Sequence, residues 1–377
     1  MDFDFSKDEK LIQSTIREFL EKECPSDKVR ELEEDEKGYD PVLWGKMAEL
    51  GYLGLLFPEE YGGMEGSFIE LMIVAEELGR ACAPSWFFST VVLGAQAILT
   101  FGREEQKRRL LSEIARGESL GTLALIEPRS GYDVTKIEMT ANEDAGGFLI
   151  SGTKLFVPDA HIADWIVCVT RGKRGGGDNS TPKLFLIDRE APGISITPLK
   201  TISGDRLFEV KFDQVEVSEE NLLGGGGHHA GDFERMLQQA SLAKCGEMVG
   251  GAQRVLEMSV DHAKQRIQFD RPIGSFQAVQ HHCANMLIDL DCSRFLAYYA
   301  AWLLSEGLPC DKEIAMAKAF TGDAYVSITT SGQQIHGGTG LTREHDMQLY
   351  FRRAKASALS LGNSTFQREK IAREMGL

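Results

Sequence analysis

Apolar positions along this chain follow two rhythms, and the rhythm changes twice. From Phe3 to about Gly117 they recur every three or four residues, as helices with one buried face require. Ser6, Lys7, Asp8 and Glu9 read as a capping box opening the first helix, whose inward face carries Leu11, Ile12, Ile16, Phe19 and Leu20. The next helix is predicted to start at Pro41. A glycine-rich loop over Phe57–Gly66 follows, then helices over Ser67–Arg80, Ser89–Phe101 and Glu104–Arg116.

At about Gly117 the period becomes that of strands. Short runs at Gly121–Ile126, Phe148–Ser151, Trp165–Thr170, Lys183–Asp188, Ile194–Pro198 and Glu209–Val217 are bounded by Gly, Pro, Asp or Asn, which predicts a compact barrel or sandwich. Arg171–Pro182 reads as a flexible surface hairpin. His228 and His229, beside Gly224–Gly227, read as a solvated loop, because no carboxylate or cysteine stands at metal-ligand spacing.

From Ala230 the helical period returns. Leu242, Cys245, Val249, Ala252, Leu256, Val260 and Ala263 form one apolar stripe. That helix is expected to stop near Arg271, since Pro272 cannot continue it, and Ser275 is expected to cap the next one, with its stripe through Val279, Cys283, Met286 and Leu290. Helices over Lys312–Thr330 and Glu344–Glu374 complete a predicted four-helix bundle. The expected class is α+β. Its expected domains are an all-helical one over 1–118, a β domain over 119–225 and a helical bundle over 226–377, a division suited to a chain of 377 residues.

Composition narrows the partners. With 57 acidic against 41 basic residues the net charge is -16, which argues against nonspecific binding to nucleic acid or an anionic membrane. The seven cysteines are scattered without a C-x-x-C pair, several on apolar stripes, and read as reduced core residues of a cytoplasmic protein. The opening MDFDFSKDEK has neither an apolar secretory segment nor an arginine-rich transit pattern, and no apolar run is long enough to span a membrane.

Candidate chemistry gathers between the first two long C-terminal helices. Arg266 and Arg271 stand beside a fresh helix N-terminus, whose unpaired amides favour an anion such as a pyrophosphate; on charge alone, the preferred reading is that they complement the end of the preceding helix, where basic residues are common. The full string, with Phe269 and Gln277, resembles the R-x-x-F…Q segment of the acyl-CoA dehydrogenase family. A second string resembles the same family: Gln334–Gly340 (QIHGGTG), then Glu344 and Tyr350-Phe351-Arg352-Arg353. The resemblance covers nearly the whole chain, and its order of helices, strands and helices is that of the acyl-CoA dehydrogenase fold. It implies FAD as cofactor, an acyl-CoA substrate and an electron-transfer flavoprotein as acceptor. It also implies that Arg266, Phe269, Gln277, Gln334, Gly337 and Gly338 serve the ADP half of a neighbouring subunit's FAD.

The same resemblance exposes departures. Family members remove the thioester α-proton with a positioned carboxylate while the β-hydrogen leaves as hydride. Where most carry that glutamate in Y-E-G-T, this chain has Ser360-Leu361-Gly362-Asn363; where others place it on the first long C-terminal helix, this chain has Ala240. Neither side chain can accept a proton. The family's T-E-P-x-x-G-S-D reads Ile126-Glu127-Pro128-Arg129-Ser130-Gly131-Tyr132-Asp133, and its K-x-W-I-T-N-G reads Lys154-Leu155-Phe156-Val157-Pro158-Asp159-Ala160. Ile126, Tyr132 and Pro158 thereby remove hydroxyls and a backbone N–H that serve flavin or substrate. Groups donated to a neighbour are kept and groups for the chain's own flavin ring are replaced. The expectation is one subunit of a heterotetrameric acyl-CoA dehydrogenase with an incomplete site of its own, most similar in pattern to subunits of the steroid side-chain type. The alternatives are a self-associating homotetramer with a relocated base (Glu247, or Asp159), a different flavin chemistry such as monooxygenation or nitroalkane oxidation, and a non-enzymatic acyl-CoA- or FAD-binding partner.

Overall fold

The predicted capping box forms. Ser6 Oγ accepts from the Glu9 amide at 3.1 Å and the Glu9 carboxylate accepts from the Ser6 amide at 2.7 Å, opening α1 (Lys7–Glu23). These features belong to a computed structural model that describes residues 4–144, 146–172, 182–226 and 230–377. The Gly227–His229 loop and most of the Arg171–Pro182 hairpin lie outside the described residues. Pro41 opens α3 (Pro41–Glu49) as expected, with Asp40 capping it, but it is preceded by a helix the sequence reading lacks, α2 (Ser26–Glu34). After α4 (Phe68–Arg80), the helix expected over Ser89–Phe101 begins in π geometry (Phe88–Ala95) and becomes α5 (Gln96–Phe101); α6 spans Glu104–Ala115.

The strands are β1 (Gly121–Ala124), β2 (Ala141–Asp144), β3 (Gly147–Pro158), β4 (Trp165–Thr170), β5 (Lys183–Asp188), β6 (Ile194–Leu199) and β7 (Leu207–Ser218). They form a three-stranded sheet in the order β1-β4-β5 and a four-stranded antiparallel sheet in the order β2-β3-β7-β6, so the middle region is two facing sheets and not a closed barrel. The whole of β4 is buried, and its alternate residues enter different cores. Ile166 and Cys168 meet Phe185, Val210 and Phe212 between the sheets, whereas Trp165, Val167 and Val169 join the helical core. The smaller sheet is therefore the wall between the β and helical regions.

The C-terminal helices are α7 (Ala230–Gln265), α8 (Gln277–Ser305), α9 (Asp311–His336), α10 (Met347–Leu359) and α11 (Ser364–Glu374). Two expectations change here. The first long helix ends at Gln265, short of Arg271, because the chain turns into a two-residue ladder, β8 (Ile267–Gln268) against β9 (Arg271–Pro272). Ser275 does not cap α8; its hydroxyl donates back to the Pro272 carbonyl at 2.7 Å, and Phe276 takes the cap position without a side-chain bond. The helix expected over Glu344–Glu374 is broken by a turn at 360–363. The cysteines carry no disulfide, and Cys292 is exposed, so not all of them are core residues.

Candidate functional site

The crossing of α4 and α7 sets one wall of the site. A Cβ at Gly79 would overlap the Glu247 carbonyl, and one at Gly250 would overlap the Glu76 carbonyl, so the two backbones touch at both glycines. Between this crossing, the smaller sheet, β3 and the turn after α10 lies a cavity of about 370 Å³, within the range of small-molecule sites. Leu78, Phe87, Phe88, Leu123, Leu125 and Ile126 make most of it apolar.

Leu361 enters the cavity from the 360–363 turn, with φ of 56°. A buried lysine holds this turn: Lys318 Nζ donates to the carbonyls of Ser357, Ala358 and Gly362 at 3.3, 3.1 and 3.2 Å, and burial pushes its pKa down to about 8. Gln367 Nε2 donates to the Leu361 carbonyl at 3.0 Å, and Asn363 caps α11. The turn is rigidly presented, and its side chain is an alkyl group. Ala240 is buried in the core of α7.

The two proposed substitutes for the base are otherwise engaged. Glu247 lines the cavity, but its Oε2 is ion-paired with Lys244 one helical turn away on α7. Asp159 turns away from the cavity into a buried pocket, where it accepts from Ser85 Oγ at 2.9 Å and Ser89 Oγ at 2.7 Å; desolvation pushes its pKa up to about 6. A carboxylate that the sequence reading missed, Asp205, also lines the cavity from the loop before β7. No motif marks that loop, so only the fold could reveal it.

The two altered motifs form the opposite wall. Glu127 accepts from Lys154 Nζ at 2.8 Å and from the amides of Glu138 and Met139, all within the β region; with Lys154 fully buried, the pair is a structural pin joining the motifs. Pro158 offers no N–H, and its carbonyl already accepts from Thr122 Oγ1 at 2.6 Å. Phe156 sits at a register shift in β3 with positive φ and half of its surface exposed, and Tyr132 packs against Phe366.

The predicted ADP-side residues lie elsewhere, on the outer surface. Phe269 and Asp270 form the tip of the β8–β9 turn, both with positive φ, and Phe269 is 86% exposed. Such a turn ordinarily takes Asn-Gly. Arg266, Gln277, Gln334, Gly337 and Gly338 are also exposed, and a Cβ at either glycine would meet nothing within 4 Å. The two strings meet in space. The His262 ring, one turn before Arg266, stacks on the His336 ring at 4.5 Å, and His345 closes on His336 at 4.8 Å. Burial holds the pKa of His262 and His336 below the usual histidine range, which favours the uncharged form of these two rings.

Tyr350 and Arg353, from the second string, do structural work. Tyr350 OH donates to the Arg80 carbonyl at 2.5 Å, and Arg353 Nη1 donates to the carbonyls of Cys82 and Ala83 at 2.6 Å each, so α10 is clamped to the end of α4.

Comparison with known proteins completes the picture. Models of the N-terminal, middle and C-terminal domains of acyl-CoA dehydrogenases match residues 6–118, 122–215 and 231–376. The chain is 33% identical to the probable acyl-CoA dehydrogenase YngJ of Bacillus subtilis, covering 100% of both chains. Two solved structures share its fold at a TM-score of 0.91 and 27% identity. One is butyryl-CoA dehydrogenase from Megasphaera elsdenii, with 100% of each chain covered; the other is in the ChsE4-ChsE5 complex from Mycobacterium tuberculosis, with 100% of this chain and 99% of that one covered. A cavity between helices and sheets, an exposed basic hairpin joined to a glycine turn, and three matching domain models together place this chain in the acyl-CoA dehydrogenase family.

Proposed function

We propose that this chain is one subunit of a heteromeric, FAD-dependent acyl-CoA dehydrogenase. On this reading it completes the FAD site of a homologous partner, and its own cavity does not carry out dehydrogenation. The observation that carries the reading is the split between the two faces. On the outer face the residues fit the ADP half of FAD. Arg266 offers a guanidinium to a pyrophosphate, the first amides of α8 have no side-chain cap, and Gly337 and Gly338 leave room for close approach. The same face accounts for the exposed Phe269, whose ring meets the edge of Phe276 at 6.0 Å and is otherwise largely open to solvent.

On the inner face the residues do not fit a flavin ring. Pro158 provides no donor, Ile126 provides no hydroxyl, and unpaired flavin acceptors would cost roughly 1–3 kcal/mol each. The two carboxylates considered as substitutes are engaged, Glu247 through its Oε2 with Lys244 and Asp159 with Ser85 and Ser89, which leaves Asp205 as the further carboxylate lining the cavity among the described residues. When bound in the partner, FAD supplies hydride acceptance; this chain supplies binding and orientation from its outer face. The similarity to a protein solved within a two-component complex agrees with this assignment, and an electron-transfer flavoprotein is the acceptor that family resemblance implies.

The test is the flavin-to-polypeptide ratio of the purified chain, alone and after co-expression with a family member that carries the catalytic glutamate. The reading expects a colourless lone chain and one FAD for every two chains in the complex. One FAD per chain in the lone protein, with dehydrogenase activity, would overturn it and make Glu247 and Asp205 the carboxylates to replace.

A further inference from the structure

The cavity is not uniformly apolar. Where α7 and α9 border it, three polar side chains converge. Lys244 is nine-tenths buried, with its Nζ 3.6 Å above the Phe88 ring centre and ion-paired to Glu247. Only Oε2 of Glu247 is engaged by that pair, leaving Oε1 without a protein partner among the described residues. Tyr325, from α9, is 4% exposed and lines the same space. Its phenol packs beside Gly251, where any Cβ would overlap it, and no hydrogen-bond partner for its hydroxyl occurs among the described residues. The hydroxyl is not one of the buried side-chain atoms left without a partner, so it opens onto the cavity, where a ligand atom can meet it.

We propose that the cavity binds the acyl part of an acyl thioester whose distal end carries a hydroxyl, seated between Tyr325 and the Lys244–Glu247 pair. This rests on the preceding reading only in taking the ligand to be an acyl thioester. The chemistry selects the end group. An alkyl end would leave the phenol and Glu247 Oε1 unpaired. A carboxylate end would place a second negative charge beside Glu247, whose lysine partner is already committed. A hydroxyl can accept from Tyr325 while donating to Glu247, and it leaves the ion pair intact. The glycine at 251 makes this possible by letting the phenol reach α7. A chain without dehydrogenation chemistry of its own would use such a site to hold an acyl group, not to turn it over.

The experiment is calorimetric titration of the full purified chain with hexanoyl-, octanoyl- and decanoyl-CoA, each beside its ω-hydroxy and ω-carboxy counterpart. At the best chain length the ω-hydroxy thioester should bind about ten- to 100-fold tighter than the alkyl one, the range expected for two added hydrogen bonds. Tyr325→Phe, which removes one oxygen and keeps the ring, should reduce that preference by about three- to ten-fold with an unchanged melting temperature. Glu247→Ala, which removes the acceptor, gives a second, independent loss of the preference. The proposal is overturned if no thioester binds, if alkyl and hydroxy forms bind equally, if the ω-carboxy form is preferred, or if Tyr325→Phe leaves the preference unchanged. Binding is read without turnover, so this outcome is separable from the flavin ratio that tests the heteromeric reading.

Discussion

At Asp159 a carboxyl group is folded against two serine hydroxyls, with no cation in hydrogen-bond reach among the described residues. Its proton is held up to about pH 6 in the fold, whereas the unfolded chain releases it near 3.8. Between these values the folded state binds more protons than the unfolded one, so this group's contribution is fully present below about pH 4 and is lost as pH rises through 6. Asp159→Asn keeps an acceptor for the serines and removes the buried charge. It should raise stability at pH 7 by about 1–3 kcal/mol, with little gain at pH 4, as read from urea midpoints at the two values. The sequence placed Asp159 beside the altered loop but could not show which way it faces: positive φ at Asp159 turns the chain just after Pro158, and one such turn separates a cavity wall from a buried pocket. Leu361 was the opposite case, since its identity alone excluded proton transfer.

Among elements, legibility followed the strength of the local signal. β4 and β5 appear with the predicted limits because each is a continuous apolar run between turn residues, and burial of β4 on both faces favours that pattern. α2 escaped notice because its SDKVRELEE offers only Val29 and Leu32 as buried anchors. The end of α7 was misplaced because Pro272 is a conspicuous stop signal, whereas the true end at Gln265 comes from the β8–β9 pairing, which has no compositional mark. The π geometry of Phe88–Ala95 is likewise invisible to a 3.6-residue period in a segment buried on all sides. The α4–α7 crossing was also hidden, since glycine in a helix says nothing about its neighbour. Gly250→Ala would drive a methyl into the Glu76 carbonyl. We expect a loss of about 2–3 kcal/mol in denaturant unfolding, against about 1 kcal/mol or less of change at a helical glycine with open surroundings such as Gly45.

For the molecule as a whole, α10 decides whether the helical regions behave as one unit. Arg353 holds the carbonyls of Cys82 and Ala83, and its Nη2 lies 3.5 Å from Glu33 on α2, while Arg352 pairs with the same carboxylate at 2.6 Å. Arg353→Ala removes one hub of this network. It should cost about 3 kcal/mol or more and lower the cooperativity of unfolding, seen as a divergence between tryptophan fluorescence and helical circular dichroism.

The exposed tip of the β8–β9 turn behaves in the other sense. Phe269→Ala removes a ring that its own chain barely touches, so the melting curve of the lone chain should shift by less than about 0.5 kcal/mol. The co-expressed complex, by contrast, should release FAD more readily on dilution. Heredity and consequence would then fall on different polypeptides: a change encoded in this chain would be recorded as a cofactor deficiency of its companion, and a survey of this protein's own folding would pass the variant as sound.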